Sequence, residues 1–453
     1  MTSGLKLSTA AIAMLTAVGL GAMPAAAADL GGDCCADLEE RIAELEATTA
    51  RKGNRKVKLE VSGQVNEALI FWDDGFEANQ GVYTNDNART RFRFKGSAKI
   101  SDDLKAGYLL EIGVRSQNSK NFTQDNPSPG GGLDVRHSTW YLDSKTYGQV
   151  WVGLTAPAAE GVTEINLSNA RDIAKFSDVE DSALGLFIRT GVGDTQSAFA
   201  FKNILITGDQ PGEPERGNIV KYVSPDFAGF SLSTAWGGDD YWDVGLRYKG
   251  DFAGFVVAGG IAYGQESDAT GGQIGNCRAT NAADFKGCES LGGSMSVMHT
   301  DSGLYATVGA GWRKDDTIAN VGVFDGGAAN ADDESTFYSI EAGIEKKWFP
   351  LGKTTLFGQY YNYDGGSNDR QDPTDSAFGP TCAAAGSCAT AGTGLEMFGG
   401  GVVQEISAAS MLLYVYYRHV EAEIDAVTAG GAPVALPAFE DLDMVVAGGL
   451  IRF

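Results

Sequence analysis

Several features that mark enzymes and nucleic-acid-binding proteins are scarce in this sequence. It has only three histidines, His137, His299 and His419, which are far apart and accompany no nucleophile elbow or histidine-rich metal motif. Basic residues are outnumbered, with 35 Lys and Arg against 59 Asp and Glu and a net charge of −24. Because phosphate binding needs a basic face, nucleic-acid partners are disfavoured. We therefore expect no cofactor, no metal ion and no catalytic residues.

The sequence also lacks a long apolar run beyond its first 28 residues. A helix needs about 20 apolar residues to cross a bilayer, and the stretch 253–264 is too short and rich in glycine. If the chain lies in a membrane, it must cross it as a closed barrel. A mean hydropathy of −0.14 agrees with a barrel, in which lipid-facing and water-facing residues alternate.

The amino-terminal region is predicted to be a signal peptide followed by a short helix. Lys6, the apolar residues 7–20 and Ala26-Ala-Ala28 predict an export signal over 1–28, with a membrane anchor as the weaker alternative. In 29–56, Leu38, Ile42 and Leu45 have coiled-coil spacing and precede a basic linker, 51–56. So short a helix is not stable alone in water. It is either a self-association element in the periplasm or a passive linker.

The rest of the chain, 57–453, alternates tight turns with long loops. Turns are predicted at Ser101-Asp-Asp103 and 144–148, and near Pro225-Asp226, Gly250-Asp251, 300–302, 350–352 and 407–409. Long loops are predicted at 265–291, 313–335, 364–393 and 421–440. About sixteen strand-like runs result, within the range of bacterial barrels. The predicted fold is all-β, a transmembrane antiparallel barrel, because a soluble sandwich or propeller has no reason to place its long loops at one end.

A short repeat supports this arrangement. Asp226-Phe-Ala-Gly-Phe230 recurs as Asp251-Phe-Ala-Gly-Phe255, and Tyr222 and Tyr248 precede the two copies. Aromatic rings prefer the membrane interface, so these residues predict two similar hairpin turns at that depth. Chance recurrence of common turn residues is the alternative.

The second predicted strand, 88–100, carries a ladder of basic residues. Arg89, Arg91, Arg93 and Lys95 share one face, and Phe92 and Phe94 lie on the other. In a barrel the apolar face meets lipid, so the basic residues must enter the lumen. The next strand, 104–115, repeats the pattern and ends with Arg115, and Trp242, Val244 and Leu246 alternate with Asp243 and Arg247.

The six cysteines fall into three close pairs. Cys277 with Cys288 and Cys382 with Cys388 lie in loop-like segments, and in an exported protein they are disulfide candidates. The adjacent Cys34 and Cys35 form either a strained vicinal bridge or a link between chains.

Three segments resemble a known family. The chain ends in a strand, Met444 to Phe453, whose terminal Phe resembles the assembly signal of bacterial outer-membrane proteins. The segment 37–56 followed by Val61-Ser-Gly-Gln-Val65 resembles the mature amino terminus of alphaproteobacterial general porins, and 218–230 resembles one of their hairpins. The resemblance implies a homotrimer in outer-membrane lipid, inserted by the barrel-assembly machinery, that passes small hydrophilic solutes by passive diffusion.

The same resemblance implies that the third long loop folds into the lumen. Here that loop is about 155–217, longer than a simple constriction loop needs, so part of it either stays outside or forms an additional hairpin. Its acidic residues are Glu160, Glu164, Asp172, Asp178, Glu180 and Asp181. We expect them to face a basic wall of Arg89, Arg91, Arg93, Lys95 and Arg115 across a pore constriction. A purely extracellular acidic loop is the alternative.

Other functions compete with a general diffusion channel. A substrate-selective channel, for example for sugars, would line its pore with aromatic rows, and a non-conducting barrel would be plugged by side chains. An outer-membrane enzyme would need a site assembled from scattered residues, which the sequence does not reveal.

Overall fold

The structure is a computed structural model. It describes residues 57–127, 130–190, 195–205, 209–238, 240–267, 274–275, 287–316, 333–365, 388–428 and 432–453. The chain divides into Met1–Leu59 and Glu60–Phe453. The predicted signal peptide, the coiled-coil-like helix, Cys34 and Cys35 lie outside the described residues.

The described residues form twenty strands and six short 3-10 helices. The strands are β1 (Lys58–Asp73), β2 (Ala78–Thr84), β3 (Arg91–Lys99), β4 (Leu104–Arg115), β5 (Gly132–Ser144), β6 (Gly148–Thr155), β7 (Phe187–Thr190), β8 (Thr195–Ala200), β9 (Gly217–Val223), β10 (Phe230–Gly237), β11 (Trp242–Phe252), β12 (Phe255–Glu266), β13 (Cys288–His299), β14 (Leu304–Asp315), β15 (Glu334–Phe349), β16 (Gly352–Gly365), β17 (Cys388–Ile406), β18 (Met411–Thr428), β19 (Pro433–Val434) and β20 (Leu442–Arg452). The 3-10 helices are Asp86–Ala88, Ser119–Asn121, Asn169–Asp172, Val179–Asp181, Phe201–Ile204 and Ser407–Ala409.

Sixteen of these strands close into one antiparallel barrel, which confirms the predicted fold class. Neighbours along the chain pair with each other, and β20 pairs with β1 from Asp443↔Asp73 to Arg452↔Gln64 to close the ring. β2 and β19 extend the wall, while β7 and β8 form a separate hairpin. No helix among the described residues has the length and apolar character needed to cross a membrane.

The two faces of the wall follow the predicted alternation. On β11, Trp242, Val244 and Leu246 point outward and are at least one-third exposed, whereas Asp243 points inward and is fully buried. On β20, Ile451 is exposed and Leu450 is buried. Phe453 follows Ile451 on the outer side and exchanges backbone hydrogen bonds with Gly63 (2.9 and 3.1 Å). Its role as an assembly signal stays a prediction.

The short turns at one end of the barrel match the sequence closely. Both copies of the repeat form the same turn, because Ala228, Gly229, Ala253 and Gly254 all have positive φ, between 50° and 87°, as a two-residue hairpin turn of this hand requires. The turn predicted near Gly250-Asp251 lies slightly later, at Ala253-Gly254, since β11 continues to Phe252. Exposed aromatic rings surround this end, including Phe227, Phe252 and Phe349, at the depth where such rings favour the interface.

Candidate functional site

A polar cavity of about 610 Å³ lies inside the barrel, between the wall formed by β3–β6 and the loop that joins β6 to β9. We call that loop, residues 156–216, the inward loop. Among the described residues, the cavity lining has eleven carboxyl groups and eight basic side chains. Electrostatic interaction with these charged side chains therefore dominates the environment of a solute in the cavity.

The predicted basic wall lies only partly in this cavity. Arg89, Arg91 and Arg115 line it, whereas Arg93 and Lys95 do not. Arg89 also does not belong to the strand ladder, which is a correction. The side chain of Asn85 accepts a hydrogen bond from the Asn87 backbone and caps a 3-10 helix, so β3 begins only at Arg91.

The arginines pair with carboxylates of the wall itself. Glu111 of β4 accepts from Arg136 (2.8 Å) and Arg93 and lies 3.7 Å from Arg91. Asp134 lies 3.1 Å from Arg89, and Asp86 lies 3.1 Å from Arg115 and 3.9 Å from Arg89. The nearest partners of these arginines are therefore carboxylates of the wall itself, and the loop acids lie farther from them. Three guanidinium groups share Glu111, so this wall keeps an excess of positive charge.

All six predicted loop acids line the cavity, and most have a basic partner. Glu160 pairs with Arg216, Glu164 and Asp178 with Lys175, Asp172 with Arg452, and Glu180 with Lys120. Asp181 is buried. The loop acids and the arginines of the wall thus face the same space from opposite sides.

Burial changes the protonation of the loop acids. It raises the pKa of Asp181, next to the negative Asp178, and of Glu213 to about 7. It also raises the pKa of Glu164 and Glu180 well above the ordinary value. Burial opposes the charge of Lys175, but Asp178 and Glu164 overcome it and raise the pKa of that ammonium. The charge of the cavity therefore changes near neutral pH.

Two buried side chains of the far wall hold the inward loop. Glu341 of β15 accepts from Asn166 (2.8 Å) and Ser168 (3.1 Å) of the loop. Arg418 of β18 donates to the carbonyl oxygens of Lys175 (2.6 Å) and Val179 (3.3 Å). These bonds replace water for groups that would otherwise be buried unpaired, and they fix the loop across the lumen.

Glycines of β13 and β14 let the end of the loop lie directly on the wall. A Cβ atom at Gly311 would come within 2.1 Å of the Pro211 carbonyl oxygen, and one at Gly292 within 2.5 Å of the Gly212 oxygen. Gly212 itself has φ +93°, in the region that favours glycine. This close approach is possible only without side chains.

The other half of the lumen is filled by an apolar core. Ile173, Leu186 and Phe201 of the inward loop pack with side chains from β1, β16–β18 and β20, among them Trp72, Tyr416 and Met444. The hairpin of β7 and β8 belongs to this part of the loop. The charged cavity lies on the opposite side, next to β3–β6.

One group of loop carboxylates has the spacing to hold a metal ion. Oxygens of Asp178, Glu180 and Asp209 lie within 4.8 Å of one another. The Lys120 ammonium already lies 3.5 Å from Glu180 and 3.8 Å from Asp209, so it supplies the cationic charge there.

Cys288 is disulfide-bonded. Cys277, Cys382 and the side chain of Cys388 lie outside the described residues, so both predicted pairings stay predictions.

The sequence placed Glu111 on the polar face of its strand but did not assign it to the site, and several charged residues of the site were not predicted: Asp86, Lys120, Asp134, Arg136, Lys175, Asp209, Glu213, Glu215 and Arg216. Alternation with the apolar Leu133 and Val135 is a signal for the inward position of Arg136, and Glu111 alternates with Leu110 and Ile112. For the loop residues the sequence offers no comparable signal, because a loop has no period.

A closed sixteen-stranded barrel with a charged, loop-narrowed lumen defines the class of outer-membrane channels. The family model of the Gram-negative porins matches residues 9–424, and the chain belongs to this family. It is accordingly an outer-membrane protein, and the family comprises channels, not enzymes.

Individual relatives are distant. Outer membrane porin protein 32 of Delftia acidovorans is 23% identical over 223 residues, which are 49% of this chain and 54% of that protein. The chain thus matches about half the length of this curated relative. The solved structure of in-vitro folded OmpT of Vibrio cholerae is 12% identical, with a TM-score of 0.50 over 89% of this chain and 99% of that one, and shows the shared fold. The anion-selective porin from Comamonas acidovorans is 14% identical, with a TM-score of 0.49 over 88% and 100% of the two chains.

Proposed function

We propose that the protein forms a water-filled channel for passive diffusion of small hydrophilic solutes and ions across the outer membrane. The observation that carries this proposal is the charged cavity inside a closed barrel, bounded by the inward loop. A substrate-selective sugar channel is less well supported, because none of the described residues that line the cavity is aromatic.

The narrow part of this channel has a transverse electric field. Arg89, Arg91 and Arg115 provide the positive side, and Glu160, Asp172 and Asp178 of the inward loop provide the negative side. Glu164, Glu180 and Asp181, whose pKa is raised by burial, add to the negative side as they lose their protons. Water screens charges less in a narrow, low-dielectric space. The field orients dipolar solutes, and the balance between its two sides sets the preference for cations or anions.

Planar-bilayer recording tests this proposal. The purified protein should give stepwise conductance, and replacing Arg89, Arg91 and Arg115 together by Ser should raise cation preference in the reversal potential under a salt gradient. Glu160→Gln with Glu164→Gln should shift it the other way. Lys95→Ser is the matched control, since Lys95 lies on β3 but outside the cavity. An absence of conductance steps would refute the channel, and unchanged selectivity in both variants would remove these residues from the conducting path.

We also propose that three copies of the chain assemble in the membrane. Glu67, on the outward face of β1, accepts hydrogen bonds from Thr84 (3.0 Å), Thr90 (3.1 Å) and Ser116 (3.1 Å). A polar group of this kind is costly against lipid, and a subunit interface on this face would remove it from lipid. The position of Glu67 therefore supports a homotrimer. Analytical ultracentrifugation in detergent measures the assembly directly, and a monomer at all concentrations would contradict the trimer.

A further inference from the structure

A second group of ionisable side chains lies on the outside of the barrel, away from the lumen. We call it the rim cluster: His419 and Glu421 of β18, Asp443 of β20, and Asp441 just before β20. Arg418 and Val420 turn inward and are buried, so His419 lies on the outer face between them. It is directly opposite Asp443 in the ladder that joins the two strands.

The imidazole and two carboxylates of the rim cluster converge on one point. His419 Nε2 lies 3.2 Å from Glu421 Oε1 and 3.8 Å from Asp441 Oδ2. One ligand atom from each of these three residues lies within 4.8 Å of the others. A metal ion needs donors that face a common centre in this way, and two of the three side chains are about half exposed, so an ion can reach them.

The other imidazole nitrogen is held by a carboxylate. His419 Nδ1 lies 2.9 Å from Asp443 Oδ1, and the Tyr417 hydroxyl donates to the same oxygen. When Nδ1 carries the proton and donates it to Asp443, Nε2 presents its lone pair to Glu421 and Asp441. Metal-binding histidines almost always donate the other ring N–H to a carboxylate, a backbone carbonyl or a water molecule, and this partner sets the tautomer and the ring orientation.

The surroundings of the rim cluster are strongly acidic. Glu421 lies directly opposite Glu396 of β17, and Asp443 lies directly opposite Asp73 of β1. Like charges at opposed positions destabilise a sheet. One imidazolium leaves most of this negative charge uncompensated, and a divalent cation compensates more of it.

We propose that the rim cluster binds a divalent transition-metal ion of the zinc class. His419 Nε2, Glu421 and Asp441 are the ligands, Asp443 is a positioning residue, and water completes the coordination. The imidazole ligand favours Zn²⁺, Ni²⁺ or Cu²⁺ over Mg²⁺ and Ca²⁺. The bound ion links β18 to the start of β20, the strand that closes the barrel. This proposal does not depend on the proposed channel function.

Calorimetric titration of the chelator-treated, folded full-length protein with Zn²⁺ tests the site. The wild type should bind one ion per chain. His419→Gln should weaken binding at least tenfold, and Asp443→Asn roughly ten- to a hundredfold. His299→Gln is the matched control. The His299 ring packs at a tilt against Phe255, with 4.8 Å between ring centroids, as the His419 ring does against Phe398 at 4.8 Å. The His299 Nδ1, however, is hydrogen-bonded to the Ser302 hydroxyl.

Three results would overturn the proposal. They are equal Zn²⁺ affinity in wild type and His419→Gln, absence of binding at millimolar Zn²⁺, and displacement of Zn²⁺ by an equal concentration of Mg²⁺. The last would make the rim cluster a general acidic surface. Folding of each variant is checked by gel electrophoresis, in which a folded barrel migrates differently before and after boiling. If His419→Gln does not fold by this criterion, Glu421→Gln replaces it and should likewise weaken binding at least tenfold.

Discussion

Two carboxyl groups of the cavity change their protonation near neutral pH. The pKa of Asp181 and of Glu213 is raised to about 7 by burial, so acidification from pH 8 to pH 6 removes negative charge from the conducting path. We predict that cation preference falls over this interval, measured as the reversal potential in a salt gradient. The double variant Asp181→Asn with Glu213→Gln should lose most of the pH dependence, and an unaltered dependence in it would assign the effect to other groups.

The same two groups make the stability of the folded inward loop depend on pH. Their folded-state pKa lies above the ordinary value of a carboxyl group, so the folded state binds more protons and is stabilised at low pH. That stabilisation is lost as the pH rises through about 7. We predict that a protease cleaves the inward loop faster at pH 8 than at pH 6 after correction for the protease's own pH dependence. Equal corrected rates would contradict the prediction.

Single residues also show how far sequence reasoning reached. Arg91 and Arg115 were predictable, because alternation with lipid-facing residues determines which face of a strand they occupy. The hydrogen bond from Arg136 to Glu111 was not predictable, because the register of β4 and β5 shifts between Glu111 and Ile112. Such a bulge re-aims side chains locally. The partners of Lys175 and Lys120 depend on loop folding, which no periodic pattern encodes.

At the level of elements, the seat of the inward loop depends on glycines in the wall. We predict that Gly311→Ala displaces the end of the loop, because the new Cβ would lie 2.1 Å from the Pro211 carbonyl oxygen. Overpacking of this kind costs roughly 1–3 kcal/mol. Single-channel conductance should rise and fluctuate more, and a protease should cleave the loop faster.

Gly358→Ala is the control for this prediction. Gly358 also lies in a barrel strand, but a Cβ there would approach nothing closer than 3.8 Å, so its conductance should equal that of the wild type. Equal conductance of Gly311→Ala and Gly358→Ala would mean that the loop does not depend on the glycine contact. The sequence predicted a long third loop, part of which either stays outside or forms an additional hairpin. It did not predict the glycine contacts, because Gly292 and Gly311 are 80 and 100 residues from Gly212 and Pro211.

For the whole molecule, the apolar core joins the inward loop to the seam of β20 and β1. Leu186 of the loop is fully buried in this core with Trp72 of β1 and Met444 of β20. We predict that Leu186→Ala lowers the unfolding temperature of the barrel, measured as the temperature at which the gel band of the folded protein is replaced by that of the unfolded protein. Truncation of a buried leucine to alanine costs about 2–5 kcal/mol of stability. Leu304→Ala, at a position 58% exposed on the outer wall, should melt like the wild type in detergent. Equal melting of both variants would show that the core does not stabilise the seam.

The division of the lumen has a further consequence for how this protein can change. Side chains that face the cavity from β3–β6 contact water and solute, so substitutions among them alter permeation and cost little packing energy. Side chains that face inward from β16–β18, β20 and β1 belong to a close-packed interior, where a change of one methylene is felt. Transport preference and thermal robustness are therefore set by separate arcs of the same ring of strands. Random mutagenesis confined to the first arc should yield altered selectivity in proteins that still assemble, whereas the second should yield mainly assembly failures.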